Sequence, residues 1–377
     1  MFPLPLYGHR SLAEVLPALL RALGLPEPES DLVVEPARAA ALLLVDGLGR
    51  ELLDAHAADA PFLSSMADAG PVTVGFPSST SISLTSVGTG LPPGAHGVLG
   101  ISFRVGGELL DSLKWTSHGA GDAVDLREAL VPEQVQPSPT AFERAEAAGI
   151  GVTVVSQRVF RGSGLTRAAL RGGRFRGTHA LGDLAAEVLA ALAGPERRLC
   201  YGYHADLDAM GHLHGPGSVA WRMQLAQVDR LVQRIAEDLP PGAVLAVTGD
   251  HGMVSVDRIH DADTDDALRQ GVLLLGGDAR ARHVYARPGA ADEVLAAWRA
   301  VLGDDAWVVP GEQAAADGWF GPVAPAMRSR IGDVVVATRG TAAVIRSEAE
   351  PLISRMPGQH GSLTTAEQLV PLLLVRS

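Results

Sequence analysis

Seven side chains of this chain have the types that hold a pair of zinc ions: Asp46, Thr80, Asp208, His212, Asp250, His251 and His360. Carboxylate and imidazole donors of this kind suit zinc, and other divalent ions as well. Two such ions close together can clamp both the attacking and the leaving oxygen of a phosphoryl transfer. The set therefore points to a reaction type, provided that the fold brings the seven to one place.

Each motif also has an ordinary reading. Asp46 stands in Leu43-Leu44-Val45-Asp46-Gly47, where Gly47 lets the chain turn. Alone, such an Asp reads as a helix cap. The run Ser78-Ser79-Thr80-Ser81 offers four hydroxyls at a helix start, and position does not choose among them. A metal ion and the positive end of the helix would favour an alkoxide on one of them. Asp208 and His212, four apart, can face one metal, with Asp206 and His214 as nearby competitors. Asp250-His251-Gly252 is the sharpest local signal, because adjacent Asp and His at the end of a buried strand are costly unless something pairs with them. His360, among glycines, gains weight only from the others. No nucleophile elbow, Walker A loop or dinucleotide fingerprint is present.

The elements that must position these residues follow from apolar runs. Ala40–Val45, Val72–Phe76, Val152–Val155, Arg198–Tyr203, Val244–Val247 and Val370–Val375 read as strands. Helical patterns cover Ser11–Leu23, Leu48–Ala58, Leu181–Leu192 and Ser218–Leu239, and another begins at Ser81. Alternating strands and helices imply an α/β fold, a mostly parallel sheet with helices on both faces. Ligands of such sheets bind beyond the carboxyl ends of the strands, and Asp46, Asp208 and Asp250 each follow an apolar run. Residues 265–345 break this rhythm and read as a small α+β insert capping the site. The core is then discontinuous, 1–264 and 346–377.

Composition narrows the function classes. The net charge is -12, which lacks the basic field that a nucleic acid polymer needs. The chain has one cysteine, Cys200, so it forms no internal disulfide. Met1–Arg10 does not read as a signal peptide, and no run approaches the roughly 20 apolar residues of a membrane span. The expectation is a cytoplasmic protein with neither membrane nor nucleic acid as partner, for which a homodimer is allowed.

In this order, strand-Asp-Gly, a segment ending in Thr89-Gly90-x-x-Pro93-x-x-His96-Gly97, Asp208-x-x-Gly211-His212, Asp250-His251-Gly252 and His360-Gly361 resemble the alkaline phosphatase superfamily. The closer likeness is to its type I phosphodiesterase / nucleotide pyrophosphatase branch. The resemblance runs from about Ala40 to the end, apart from the insert. The family nucleophile lies nine residues before the threonine of the Thr-Gly pair, which lands on Thr80. The resemblance implies one Zn2+ held by Asp208, His212 and His360, and a second held by Asp46, Thr80, Asp250 and His251. It implies an alkaline-phosphatase-like fold and in-line attack by Thr80 on a small phosphate ester, through a covalent phospho-threonine.

Two positions depart from the family pattern. Ser83 stands where a phosphoryl-contacting side chain is expected near the nucleophile, and is read as a shorter donor. Ser81 stands where nucleotide-cleaving members carry an aromatic. Ser81 and Trp115, in the Lys114-Trp115-Thr116 loop, are the candidate substrate contacts. A generic phosphodiesterase is thus expected ahead of a nucleotide-specific one. The rivals are a phosphomonoesterase or mutase, which would add basic residues around a terminal phosphate, and a non-catalytic metal-dependent binding protein. A sulfatase would need a modifiable Cys or Ser as nucleophile.

Overall fold

The run Ala39–Val45 contains no polar side chain, and it forms a strand buried on both faces, β1. The computed structural model describes residues 4–119 and 122–377, so the first three residues of the Met1–Arg10 stretch lie outside it. Four more strands run parallel to β1: β2 (Gly151–Gln157), β3 (Arg174–Thr178), β4 (Arg198–His204) and β5 (Ala243–Gly249). The short strand Ala67–Asp68 and the late strand Leu372–Arg376 complete the sheet at one edge, antiparallel to their neighbours. The order across the sheet is Ala67–Asp68, Leu372–Arg376, β5, β1, β4, β2, β3.

Alternation along β1 divides the core in two. Ala40, Leu42 and Leu44 pack with Leu12, Leu16, Leu19 and Phe142 on one face. Leu43 and Val45 pack with Trp221, Leu225 and Val232 of the helix Val219–Glu237 on the other. Both faces are covered, as a parallel sheet requires.

Register matters more for function. Val45 of β1 pairs with Gly249 of β5 and with His204 of β4, so three strands end in one row. The chain leaves the sheet side by side at Asp46, at Asp250 and just before the helix Asp206–His214. Asp208 therefore sits in the first turn of a helix, four residues past its strand.

Two expected elements are shorter than read from sequence. Of Val72–Phe76 only Val72–Thr73 is a strand, paired with Leu369–Val370 outside the central sheet. Gly75 and Pro77 cut the run short, since proline has no N–H to give a ladder. The helix expected at Leu48–Ala58 is Arg50–Ala55, starting after Gly49.

Between residues 265 and 345 the chain forms a four-stranded antiparallel sheet, ordered Val272–Asp278, Ala281–Ala286, Val334–Thr338, Ala306–Pro310. The helix Ala291–Leu302 covers one face through Val294, Trp298 and Leu302. Ala281, Val335 and Ala337 pack with Phe76, Leu99, Phe103 and Trp115, which come from earlier in the chain. Arg258–Asp261, before this segment, pairs with Ala342–Ile345 at its end. Among the described residues no helix is long and apolar enough to cross a membrane.

Candidate metal centre and active site

The seven predicted residues converge beyond the carboxyl edge of the sheet. One ligand atom each from Asp208, His212 and His360 lies within 4.8 Å of the others, and the same holds for Asp46, Asp250 and His251. The two groups adjoin: the His251 and His360 rings stack with centroids 3.6 Å apart.

Glycine makes the approach possible. A Cβ on Gly47 would lie 2.9 Å from the Asp208 backbone, and one on Gly252 would lie 1.9 Å from the Ala366 carbonyl oxygen. Gly47 also has φ +74°, so a side chain there is excluded twice.

Three features of these groups fit divalent cations. The imidazoles all face inward in one manner: Nδ1 of His212, His251 and His360 lies 2.8, 2.9 and 2.9 Å from the carbonyl oxygens of Gly358, Gly252 and Ser78. A carbonyl only accepts, so each Nδ1 carries the proton and each Nε2 offers a lone pair. Second, Asp46 Oδ1, Asp208 Oδ1 and Asp250 Oδ2 are buried with no hydrogen-bond partner among the described residues. Buried carboxylate oxygens left unpaired are costly, and a cation between them removes the cost. Third, the electrostatics without a cation are unfavourable. Burial, then the Asp250 and Asp208 charges, push the Asp46 carboxyl well above its ordinary range. Burial, then His251 and His212, push the His360 imidazole well below its own.

Thr80 opens the helix Thr80–Thr89, and it is the half-buried residue of a segment otherwise closed to solvent. Ser78, Ser79, Ser81 and Ser83 are each 0% exposed. Thr80 Oγ1 lies 3.2 Å from His251 Nε2, and Thr80 shares a cavity wall with Asp208, His212 and His360. The choice that position in the sequence left open is thus narrowed by exposure to one hydroxyl. The helix tolerates burial because its hydroxyls bond within it, Thr85 Oγ1 to Ser81 O at 2.6 Å and Thr89 Oγ1 to Thr85 O at 2.7 Å.

Three expected contacts lie elsewhere. Ser83 Oγ donates to the Asp250 carbonyl at 2.6 Å, so it braces a ligand loop and does not face the phosphoryl position. Ser81 Oγ points at the Gly100 carbonyl, 3.3 Å away, and accepts from Ser112 Oγ at 2.8 Å. Trp115 is a core residue: its ring is 0% exposed and its indole donates to Leu130 O at 2.7 Å. The burial of these side chains, not their distance along the chain, removes them from the cleft. Asp206 and His214 are exposed and belong to neither group.

Two cavities flank Thr80. One, of about 310 Å³, is lined by Asp46, Lys114, Ser156, Phe160, Thr166 and Tyr203 among others. The other, of about 240 Å³, is lined by His118, Asp208, His212, Asp278, Glu350 and His360 among others. Tyr203 and Asp278 were not foreseen, whereas Lys114 belongs to the loop already named from the sequence. Tyr203 donates its hydroxyl to Asp46 Oδ2. Lys114 is the single lysine of the chain, and its side chain is 75% exposed at the mouth of the first cavity. Asp278 ends a strand, after the apolar run Val272–Leu275 and Gly276-Gly277, much as Asp46 and Asp250 follow apolar runs beside a glycine, so the sequence carried a signal for it. Burial pushes its carboxyl up to about 7 against the Ser79 hydroxyl, the Arg282 charge and the Ile101 amide.

Comparison with known structures defines the class first. The chain matches phosphonoacetate hydrolase from Sinorhizobium meliloti with TM-score 0.67 and 20% identity, each chain covered to 90%. It matches murine ectonucleotide pyrophosphatase/phosphodiesterase 5, solved as an inactive threonine-to-alanine variant in complex with AMP, with TM-score 0.67 and 15% identity, over 89% of this chain and 87% of that one. A phosphopentomutase from Anaeromyxobacter dehalogenans is 30% identical over 164 residues, a match spanning 38% of that protein's length and 41% of this chain. The fold is that of the alkaline phosphatase superfamily. The model of the type I phosphodiesterase / nucleotide pyrophosphatase family matches residues 40–363. The chain belongs to that family, and is a phosphoester hydrolase.

Proposed function

We propose that the protein is a two-zinc phosphodiesterase in which Thr80 is the nucleophile. The observation that carries this reading is the position of Thr80 Oγ1, between two groups of inward-facing Asp and His donors and in the wall of both cavities. Asp208, His212 and His360 would hold one ion, and Asp46, Asp250, His251 and Thr80 the other. Zinc suits these donors, and other divalent ions fit the same set. When bound, the two ions supply positive charge to the Thr80 alkoxide, the non-bridging oxygens and the leaving oxygen.

The residues of the chain do the rest. Tyr203 and the Gly47 amide hold Asp46 and Asp250 in place, the latter at 2.9 Å. The helix dipole at Thr80 favours negative charge on Oγ1. Thr80 Oγ1, its proton released to solvent, forms a bond to phosphorus as the bond to the first alkoxide breaks; that alkoxide takes a proton from solvent, giving phospho-threonine and an alcohol. Water then attacks phosphorus, loses a proton to solvent, and the bond to Thr80 breaks.

Two cavities meeting at one nucleophile suit a phosphorus bearing two organic groups. A terminal phosphate would call for a cluster of basic side chains. The first cavity offers Lys114, and the second offers none that is unpaired, since Arg282 lies behind it bound to Glu350. The inactive threonine-to-alanine variant among the similar structures is in keeping with a threonine nucleophile.

The test is turnover of bis(p-nitrophenyl) phosphate and of p-nitrophenyl phosphate by zinc-loaded protein, with Thr80→Ala as control. Diester turnover above monoester turnover, abolished in the variant, is expected. Monoester preference would reassign the protein as a phosphatase. Turnover that survives Thr80→Ala would remove Thr80 from the mechanism.

A further inference from the structure

The cavity beside Asp208, His212 and His360 has an apolar lining of Ile101, Leu113, Ile353 and Met356, and few polar groups. Most of those are already engaged. Glu350 takes two bonds from Arg282, at 3.0 and 2.8 Å, and lies 2.9 Å from His118 Nε2. The Gln359 amide donates to Ile353 O at 2.8 Å. Asp278 is different. It is 6% exposed, its Oδ1 accepts from Ser79 Oγ at 3.0 Å, and its Oδ2 has no hydrogen-bond partner among the described residues. A buried acceptor left unpaired is rare and costly, and here it belongs to a residue that lines a cavity.

We propose that Asp278 is a specificity determinant: Oδ2 accepts a hydrogen bond from a hydroxyl on the alcohol part of the substrate, which makes phosphate esters of polyhydroxylated alcohols the favoured class. This rests on the phosphoester-hydrolase reading of the site. The surroundings exclude the other ligand chemistries. A second anionic group would meet Asp278, Glu350 and Asp208 together. A cation would find the Glu350 charge already matched by a fully buried Arg282. A purely apolar group would leave Oδ2 unpaired. The second oxygen of Asp278 is tied to Ser79, the residue before the nucleophile, so the acceptor is fixed relative to Thr80. Asp278 ends a strand of the antiparallel sheet, which gives that segment a direct part in substrate choice.

The experiment compares glycerol phosphate with propyl phosphate, which differ in hydroxyls, as competitive inhibitors of diester hydrolysis and as ligands in thermal shift of zinc-loaded protein. Wild type is expected to bind glycerol phosphate about tenfold tighter, the worth of one good hydrogen bond. In Asp278→Ala the ratio should fall to about one. Asp278→Asn, which keeps the side-chain volume, should lower it at least partway and guards against a folding defect in the alanine variant. Equal binding of the two ligands by wild type, or a preference that survives Asp278→Ala, would overturn the proposal. The thermal-shift arm needs no turnover. A wrong esterase assignment would therefore appear as inactivity with the binding preference intact.

Discussion

Glu367 and Arg280 are both fully buried, and the guanidinium meets the carboxylate through two bonds of 2.8 and 2.7 Å. Arg280 lies in the turn between two strands of the antiparallel sheet. Glu367 is wired to the ligand loops: its Oε1 accepts from the Ser362 amide at 2.9 Å, two residues from His360, and its carbonyl accepts from the Gly252 amide at 2.9 Å, next to His251. Glu367→Gln keeps the shape but leaves the Arg280 charge buried without its partner, which costs roughly 3–5 kcal/mol. Arg280→Met should cost a similar amount for the converse reason. The double variant removes both charges together, so it should be less destabilised than the two singles combined, by about 1–3 kcal/mol. Urea unfolding of metal-free protein gives the three values. The displaced loops should also weaken zinc binding by about 10–100-fold in Glu367→Gln, read by titration calorimetry. Additive single and double effects, within about 0.5 kcal/mol, would refute the clamp.

The Asp278 carboxyl sits at about 7 in the fold against an ordinary 3.8. The folded state therefore holds a proton that the unfolded chain has released. Stability from this group is complete below the ordinary value and is lost as pH rises through about 7, at most roughly 4 kcal/mol. Melting of metal-free wild type should fall relative to Asp278→Asn between pH 5 and 8, and parallel curves would count against the shift. Gly88→Ala should destabilise by roughly 1–3 kcal/mol or more, because its Cβ would lie 1.8 Å from the Ala169 carbonyl oxygen; an unchanged melting temperature would mean that the helix Thr80–Thr89 has slack. His360→Ala should leave about one zinc ion per chain by elemental analysis, and retention of two would show that His360 is not needed as a ligand.

Asp46, Asp208 and Asp250 stood out in the sequence because each follows an apolar run, and a parallel sheet brings the ends of those runs together. The in-register pairing of Val45, His204 and Gly249 is the physical reason that the pattern worked. The hydroxyl run was not legible from its own residues: four neighbours of equal chemistry differ only in burial, which packing of the helix decides. Ser81, Ser83 and Trp115 misled for the same reason, since sequence gives adjacency and not the direction in which a side chain leaves a helix or turn. The run Val370–Val375 was read as one strand, but the chain breaks at Pro371: Leu369–Val370 pairs with Val72–Thr73, and Leu372–Arg376 runs antiparallel to β5. Asp278 carried the strand-end signal and was hidden by lying in a segment that broke the α/β rhythm.

The single lysine has a practical consequence. Its amine stands at the mouth of the cleft, while the other basic side chains are arginines and the one thiol, Cys200, is buried. Apart from the amino terminus, an acylating dye has one side chain to label, and that label reports on the cleft. By the same logic, amine coupling to a resin or sensor chip would seat molecules cleft-down and block entry. Attachment through surface carboxylates would leave the cleft open.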